Sequence, residues 1–276
     1  MSAPEAAVTV EPPQRWPRPQ LTALWRSREL IYFLVWRDVK VRYKQTTIGI
    51  GWAIIQPVVS MTIFTLFFGK LAGLPSNGVP YPIFVLAGLI PWNYFASAVS
   101  GCSNSLVRDV SLISKVYFPR TVLPMASVLT GLLDLAISLG VLAIFMAIFR
   151  IPIRPTVLLV LPLVFFLIAT ALSVGIWFAA INVRYRDVGY VVPFVIQVWL
   201  FLTPVIYPAN LVPEGPLRIL YALNPMVGVV VSFRWALVGG PPPGPLLLLS
   251  VIVVLLLLVS GWINFMRTEQ SFADVI

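Results

Sequence analysis

The stretch LLLLSVIVVLLLLVSGWINFM, from Leu246 to Met266, decides the architecture. It carries no charged side chain, and an α-helix rising about 1.5 Å per residue needs roughly 20 apolar residues to cross about 30 Å of hydrocarbon. Leu246–Met266 therefore reads as a membrane crossing. Working back along the chain, comparable runs extend from about Ile48 to Gly69, Ile83 to Val107, Thr121 to Phe149, Thr156 to Ile181 and Val188 to Ile206. The last of these is short and stops at Thr203-Pro204. Composition agrees, because 59% of the 276 residues are hydrophobic and 11% are charged, against roughly 25% charged in a soluble domain. Such a chain has too little polar surface to cover itself in water, so lipid is its solvent. The expected fold is all-α, a polytopic membrane protein with six transmembrane helices over residues 48–276.

Between the fifth and sixth crossings, residues 207–245 hold many prolines and glycines around two apolar pieces, Leu217–Leu223 and Met226–Leu237. Each piece is too short to span a bilayer as a helix. They read as re-entrant half-helices, which require protein or a water-filled cavity to cover their polar backbone. Six crossings place both ends of the chain on one side. With the termini inside, fourteen Lys and Arg fall in inner segments against five outside (Lys70, Arg150, Arg154, Arg218 and Arg234). Basic residues are retained in the cytoplasm, so both termini are expected there.

Residues 1–28, Pro-rich and without the apolar core of a signal peptide, are expected to be a disordered cytoplasmic tail. Residues 29–47 differ. Tyr32, Val35, Trp36, Val39 and Tyr43 share one helical face, while Arg37, Lys40 and Lys44 lie toward the other. That pattern predicts an amphipathic helix along the membrane surface, serving as a simple anchor or as a cationic face for anionic headgroups.

Several chemistries are disfavoured. The net charge of +9 resides before and between the apolar runs and forms no basic face interleaved with stacking aromatics, so nucleic acid is not an expected partner. A single cysteine, Cys102, excludes an internal disulfide, and the absence of histidine removes the commonest metal ligand, so no metal site is expected. No phosphate-binding glycine loop occurs; Gly69-Lys70-Leu71 lacks both the first glycine and the hydroxyl. The only acid plainly within a crossing is Asp134, expected either to bond neighbours such as Ser138 or Thr130 or to serve function. Asp38, Asp109 and Asp187 each neighbour an arginine (Arg37, Arg108, Arg186), which predicts local charge pairing and no catalytic residues. The loop Arg108–Arg120 is amphipathic. Leu112, Val116 and Tyr117, flanked by Lys115 and Arg120, make either a knob for a soluble partner or a mere connecting turn.

Seven ordered motifs extend the reading: WRDVKVRYKQTTIGIGWAIIQP (36–57), GLIPWNYF (88–95), KVYFPR (115–120), NVRYRD (182–187), TPVIY (203–207), NPM (224–226) and SFADVI (271–276). Together they resemble the ABC-2 type permeases that export polysaccharides, among them O-antigen, capsule and teichoic acid exporters. The resemblance covers roughly Leu30 to Ile276. It implies a homodimer in the cytoplasmic membrane with a polymer conduit at the seam, and two copies of a separate ATPase subunit that binds ATP and magnesium, leaving this chain without a cofactor. It also implies that Arg108–Arg120 is a coupling helix, with Arg108, Asp109, Leu112, Lys115, Val116, Tyr117, Phe118 and Arg120 as candidates for meeting the ATPase. Arg37, Lys40, Arg42 and Lys44 would meet the phosphate of a lipid-linked polysaccharide, or else ordinary anionic membrane lipid. Residues 207–245 would form an outer gate, with Leu217, Tyr221, Asn224, Phe233 and Arg234 as its candidate residues. Sugar faces stack on aromatic rings, which makes Trp52, Trp92, Tyr94, Phe95 and Trp177 conduit candidates, although aromatics also gather at membrane interfaces. Two rivals remain open at this point: an ABC-2 exporter of a drug or small lipid, and a channel or carrier without a partner.

Overall fold

The computed structural model describes residues 21–44, 49–116, 118–185 and 187–269. The first twenty residues, Tyr117 and the motif 271–276 lie outside these. The described residues are helical, with no strand among them. Two helices precede the bundle, α1 (Leu21–Arg26) and α2 (Arg28–Lys44). The first crossing is α3 (Gly51–Phe64), which runs on through a π-helical turn, Thr65–Leu71. The second is α4 (Tyr81–Arg108), followed by the short α5 (Val110–Lys115). The third consists of α6 (Val122–Thr130) and α7 (Leu132–Ile148) with a break at Gly131, and the fourth is α8 (Val160–Arg184), entered through a 3-10 turn at Pro155–Leu159.

Beyond α9 (Val188–Phe201) come α10 (Pro216–Ala222), α11 (Pro225–Val238) and α12 (Pro245–Glu269). Five stretches are long and apolar enough to cross a membrane: Gly51–Leu71, Tyr81–Arg108, Val122–Ile148, Pro155–Arg184 and Leu247–Glu269. The fifth expected crossing is shorter as a helix, since α9 has 14 residues, or about 21 Å. Its path nevertheless matches the central helix in height. Gly189 lies beside Asn104 near one end of α4, the Trp199 ring meets Phe95 at 5.4 Å midway, and Tyr81 Oη at the other end donates to the Ile206 carbonyl at 2.8 Å. Residues 202–206 thus complete a traverse that α9 begins. Helix stops there because Pro204 lacks an N–H and disfavours helical geometry at Thr203.

α4 is the axis of the bundle. Its membrane window is 78% buried, against 11% for Gly51–Leu71 and 17% for Leu247–Glu269. It packs against α3, α6, α7, α8, α9 and α11, while α12 lies across α8 and α11. Close approach of α4 and α8 depends on Gly175, where a Cβ would sit 2.7 Å from Cys102 Sγ and 2.8 Å from its Cβ. Gly175→Val is expected to destabilise the subunit by about 1–3 kcal/mol through overpacking. A lowered thermal midpoint of the purified protein would show it, and an unchanged midpoint would refute the close-packing account.

The segment after α9 starts and ends at one end of the bundle. Tyr207 follows the carbonyl held by Tyr81, and Pro245 opens α12, whose opposite end lies against Arg120. Within it α10 and α11 are bent 85° from one another. The pair therefore dips in and returns, the arrangement expected of re-entrant half-helices.

Candidate functional site

At the end of the bundle that holds α2 and the close of α12, four charges form a closed ring. Arg37 meets Asp38 at 2.9 Å and Asp109 at 3.0 Å. Arg108 meets Asp38 at 2.8 Å and Asp109 at 3.1 Å. Two of the neighbour pairs expected from sequence, Arg37–Asp38 and Arg108–Asp109, are present, while Arg186 of the third lies outside the described residues; crossed pairs bind α2 to the end of α4. Both carboxylates are largely covered, at 14% and 11% exposure, while the arginines are about half exposed. Burial pulls the Arg37 guanidinium down, but the carboxylates of Asp38 and Asp109 outweigh it and hold it above its ordinary range. Sequence reading assigned Arg37 to a lipid carrier and Arg108 with Asp109 to a partner; the structure joins them.

The following loop is fixed from inside. Leu112, Ile113 and Phe118 pack on a cluster that includes Leu34, Leu106, Val122 and Leu123. Leu112 therefore turns inward, away from the ridge expected with Val116, because α5 has only six residues and must bury its apolar side to stay folded. Lys115 and Val116 remain exposed, and Tyr117 lies outside the described residues. Arg120 is engaged elsewhere: its N–H donates to Glu269 Oε1 at 3.0 Å and Nη1 to the Glu269 carbonyl at 2.8 Å. Loop and α12 are thereby tied together.

Helix α2 packs on α6 through Leu30, Ile31, Leu34 and Val35. Tyr32, Phe33 and Trp36 are left exposed, so the predicted face splits, with Val35 and Tyr43 inward and Tyr32 and Trp36 outward. Lys40 Nζ lies 5.2 Å over the Trp36 ring and Lys44 is exposed. Near its end, Arg42 pairs with Asp134 of α7, and Tyr43 Oη donates to the same carboxylate. The sequence left Asp134 either with local partners such as Ser138 or Thr130 or with a functional role. Instead Thr130 Oγ1 donates to the Ala126 carbonyl at 2.8 Å, and α2 supplies the partners because, packed on α6, it brings Arg42 and Tyr43 at its end to the start of α7. No local pattern in the sequence signals contacts 91 and 92 residues apart.

Breaking this link tests whether it holds α2. Arg42 and Asp134 are 45% and 30% exposed, so a double-mutant cycle of Arg42→Ala and Asp134→Asn is expected to return a coupling of about 1 kcal/mol. A coupling of zero in thermal unfolding would mean that the pair forms without holding the helix.

Two cavities adjoin beneath α2. One, of about 360 Å³, is lined by Arg37, Asp38, Arg108, Asp109, Ser127 and Thr130 among others. The second, of about 380 Å³, lies between α2, α3, α4 and α7 and is lined by Arg42, Trp52, Gln56, Asn93, Asp134 and Ser138 among others. Arg42 and Ser97 line both. Of the aromatic candidates, Trp52 is 53% exposed. Trp92, Tyr94 and Phe95 are interior to the subunit, with Tyr94 Oη donating to the Val128 carbonyl at 2.9 Å. Trp177 Nε1 donates to the Leu257 carbonyl at 3.2 Å, fastening α8 to α12.

At the opposite end, Asn224 caps α11. Its Oδ1 accepts from Met226 N–H at 3.0 Å, and its Nδ2 donates to Thr203 Oγ1 at 3.0 Å. Arg234 is buried, its guanidinium 3.6 Å from the Phe84 ring centre and donating to the carbonyls of Phe84, Pro204 and Val205. Phe233 is fully buried, Tyr221 is half-buried, and Leu217 on α10 is 64% exposed.

Comparison with known proteins follows this geometry. The sequence profile of the ABC-2 type transporter matches residues 29–238, which takes in nearly all of α2, the loop Arg108–Arg120 and α11. The O-antigen export system permease protein RfbA of Myxococcus xanthus is 33% identical over 214 residues, covering 76% of this chain and 81% of that protein. The protein of the same description from Klebsiella pneumoniae is 24% identical over 249 residues, covering 90% of this chain and 95% of its own length. The polysialic acid transport protein KpsM of Escherichia coli is 26% identical over 209 residues, 74% of this chain and 79% of that one.

Proposed function

The chain belongs to the family of ABC-2 type transporters, and we propose from this that it is the membrane-embedded subunit of an ATP-driven exporter of a lipid-linked polysaccharide. It is a transport subunit, and hydrolysis of ATP falls to a separate ATPase chain. The observation that carries the reading is likeness over nearly the full length to permeases of O-antigen export, together with a likeness to a polysialic acid transporter. Two different polymers named for the relatives, O-antigen and polysialic acid, favour a long glycan as cargo over a compact drug.

The subunit works as one half of a homodimer in the bacterial cytoplasmic membrane, with two ATPase copies on the side of both termini. Fourteen inner against five outer basic residues support that orientation. Lys115 and Val116 on the fixed loop receive the ATPase, and α2 meets the carrier with Lys40 and Lys44 exposed toward anionic groups. Displacing the loop acts on α2 through the ring of Arg37, Asp38, Arg108 and Asp109, and on α12 through Arg120 and Glu269. At the other face, the bent α10 and α11 form the outer gate, with Leu217 and Tyr221 on its mobile part and Asn224, Phe233 and Arg234 at its fixed root. Deleting the gene in its host is expected to trap polymer on its lipid carrier inside the cell. Normal surface polymer in the deletion strain would refute polysaccharide export.

A further inference from the structure

The larger cavity beneath α2 lies at membrane depth, yet its largely apolar wall carries several polar side chains. Gln56 of α3, Asn93 of α4 and Ser138 of α7 all line it. Asn93 stands 12 residues from the start of α4 at Tyr81, roughly 18 Å along the helix axis and so near the middle of a hydrocarbon core about 30 Å thick. Among the described residues the Gln56 and Asn93 amides make no hydrogen bond, Gln56 being exposed and Asn93 half-buried. An amide turned toward lipid at that depth loses the bonds it makes in water, at about 1–3 kcal/mol per group. These side chains suit a polar occupant.

The kind of occupant follows from the rest of the wall. Trp52 precedes Gln56 by one helical turn on α3, lines the same cavity and is 53% exposed. A broad aromatic face beside two amides and a hydroxyl is the set that holds a pyranose, whose C–H face stacks while its hydroxyls both donate and accept. An acyl chain would use none of these groups. A phosphate would need net cationic charge, and Arg42, the one cation of the wall among the described residues, is offset by Asp134. The volume of about 380 Å³ falls at the lower end of the range for small-ligand sites, roughly 300–1,000 Å³.

We propose that this cavity is a saccharide-binding site within each subunit, taking a sugar unit of the polymer at mid-membrane beside α2. The inference rests on the polysaccharide-export reading. Because Arg42 and Ser97 also line the neighbouring cavity, a glycan seated here continues beneath α2 toward the ring of charges.

The test uses the full permease with its ATPase in the host, carrying photoreactive p-benzoylphenylalanine at Asn93, at Gln56, or at Leu255 on the exposed wall of α12 as a control. Irradiation is expected to attach polymer at the first two positions and not at the third. Adducts of phospholipid only, or of a second copy only, would overturn the proposal. A milder variant, Ser138→Cys, is read by its rate of labelling with a hydrophilic methanethiosulfonate reagent, Cys102 being buried. Labelling is expected to slow when polymer synthesis is switched on, and an equal rate in both conditions would also overturn the proposal. Failure here alongside trapped polymer in the deletion strain would sink the site alone, whereas normal surface polymer in that strain would sink the export reading itself.

Discussion

Replacing Arg234 by leucine is expected to remove most of the folded subunit from the membrane. The guanidinium is the shared donor for three buried carbonyls, those of Phe84, Pro204 and Val205. Two of them belong to the turn where the helix of α9 has stopped, so no helical N–H replaces it. Each buried carbonyl left without a donor costs about 1–3 kcal/mol. The Phe84 carbonyl keeps its helical donor within α4, and the two losses at Pro204 and Val205 alone come to about 2–6 kcal/mol, a large part of a typical stability of about 5–15 kcal/mol. Arg234→Lys keeps the charge but not the planar fork, and is expected to fall between wild type and Arg234→Leu. Gly88 is the matching surface, since a Cβ there would stand 2.6 Å from Arg234 Nη2. The yield of monodisperse protein and its thermal midpoint measure the effect. Wild-type values for Arg234→Leu would show that the fork is dispensable.

The second large effect is expected at the exposed tip of the loop Arg108–Arg120, the proposed docking point of the ATPase. Lys115→Glu combined with Val116→Asp should abolish association with the ATPase while leaving the subunit intact. The inward residues Leu112, Ile113 and Phe118 and the Arg120–Glu269 tie hold the loop without either side chain. Loss of a central contact residue weakens binding by at least about 2 kcal/mol, or roughly 30-fold. Co-purification of the ATPase and surface polymer should fall together. Full retention of both would place docking elsewhere. Arg120→Glu is a poorer probe, because it also cuts the connection to α12.

The crossings were legible because each is a long run whose hydropathy needs no tertiary context. α9 shows the limit. Its apolar run extends to Ile206, but Pro204 ends the helix first, and only Tyr81 and Arg234, distant in sequence, make the remaining turn part of the bundle. The charge ring was half legible. Asp38 beside Arg37 and Asp109 beside Arg108 announce pairing, whereas the crossed bonds depend on α2 lying against the end of α4. Asp134 was visible as an anomaly within an apolar run, and its partners were not, since helical spacing reports only neighbours three or four residues away. For the aromatics, composition could not separate Trp52, which lines a cavity, from Phe95, which fills the core. That distinction belongs to packing.

The ring of Arg37, Asp38, Arg108 and Asp109 has a further electrostatic consequence. Two positive and two negative charges alternating around a small loop have no net charge, and their opposed dipoles largely cancel. What remains is a quadrupole, whose potential fades with distance faster than that of a single ion pair. Across a screening length of about 8–10 Å, an approaching diphosphate feels little of Arg37 or Arg108, and Arg42 is offset by Asp134. Of the cations along α2 assigned to the carrier, the far field belongs to Lys40 and Lys44, while the arginines act only on groups that come into direct contact.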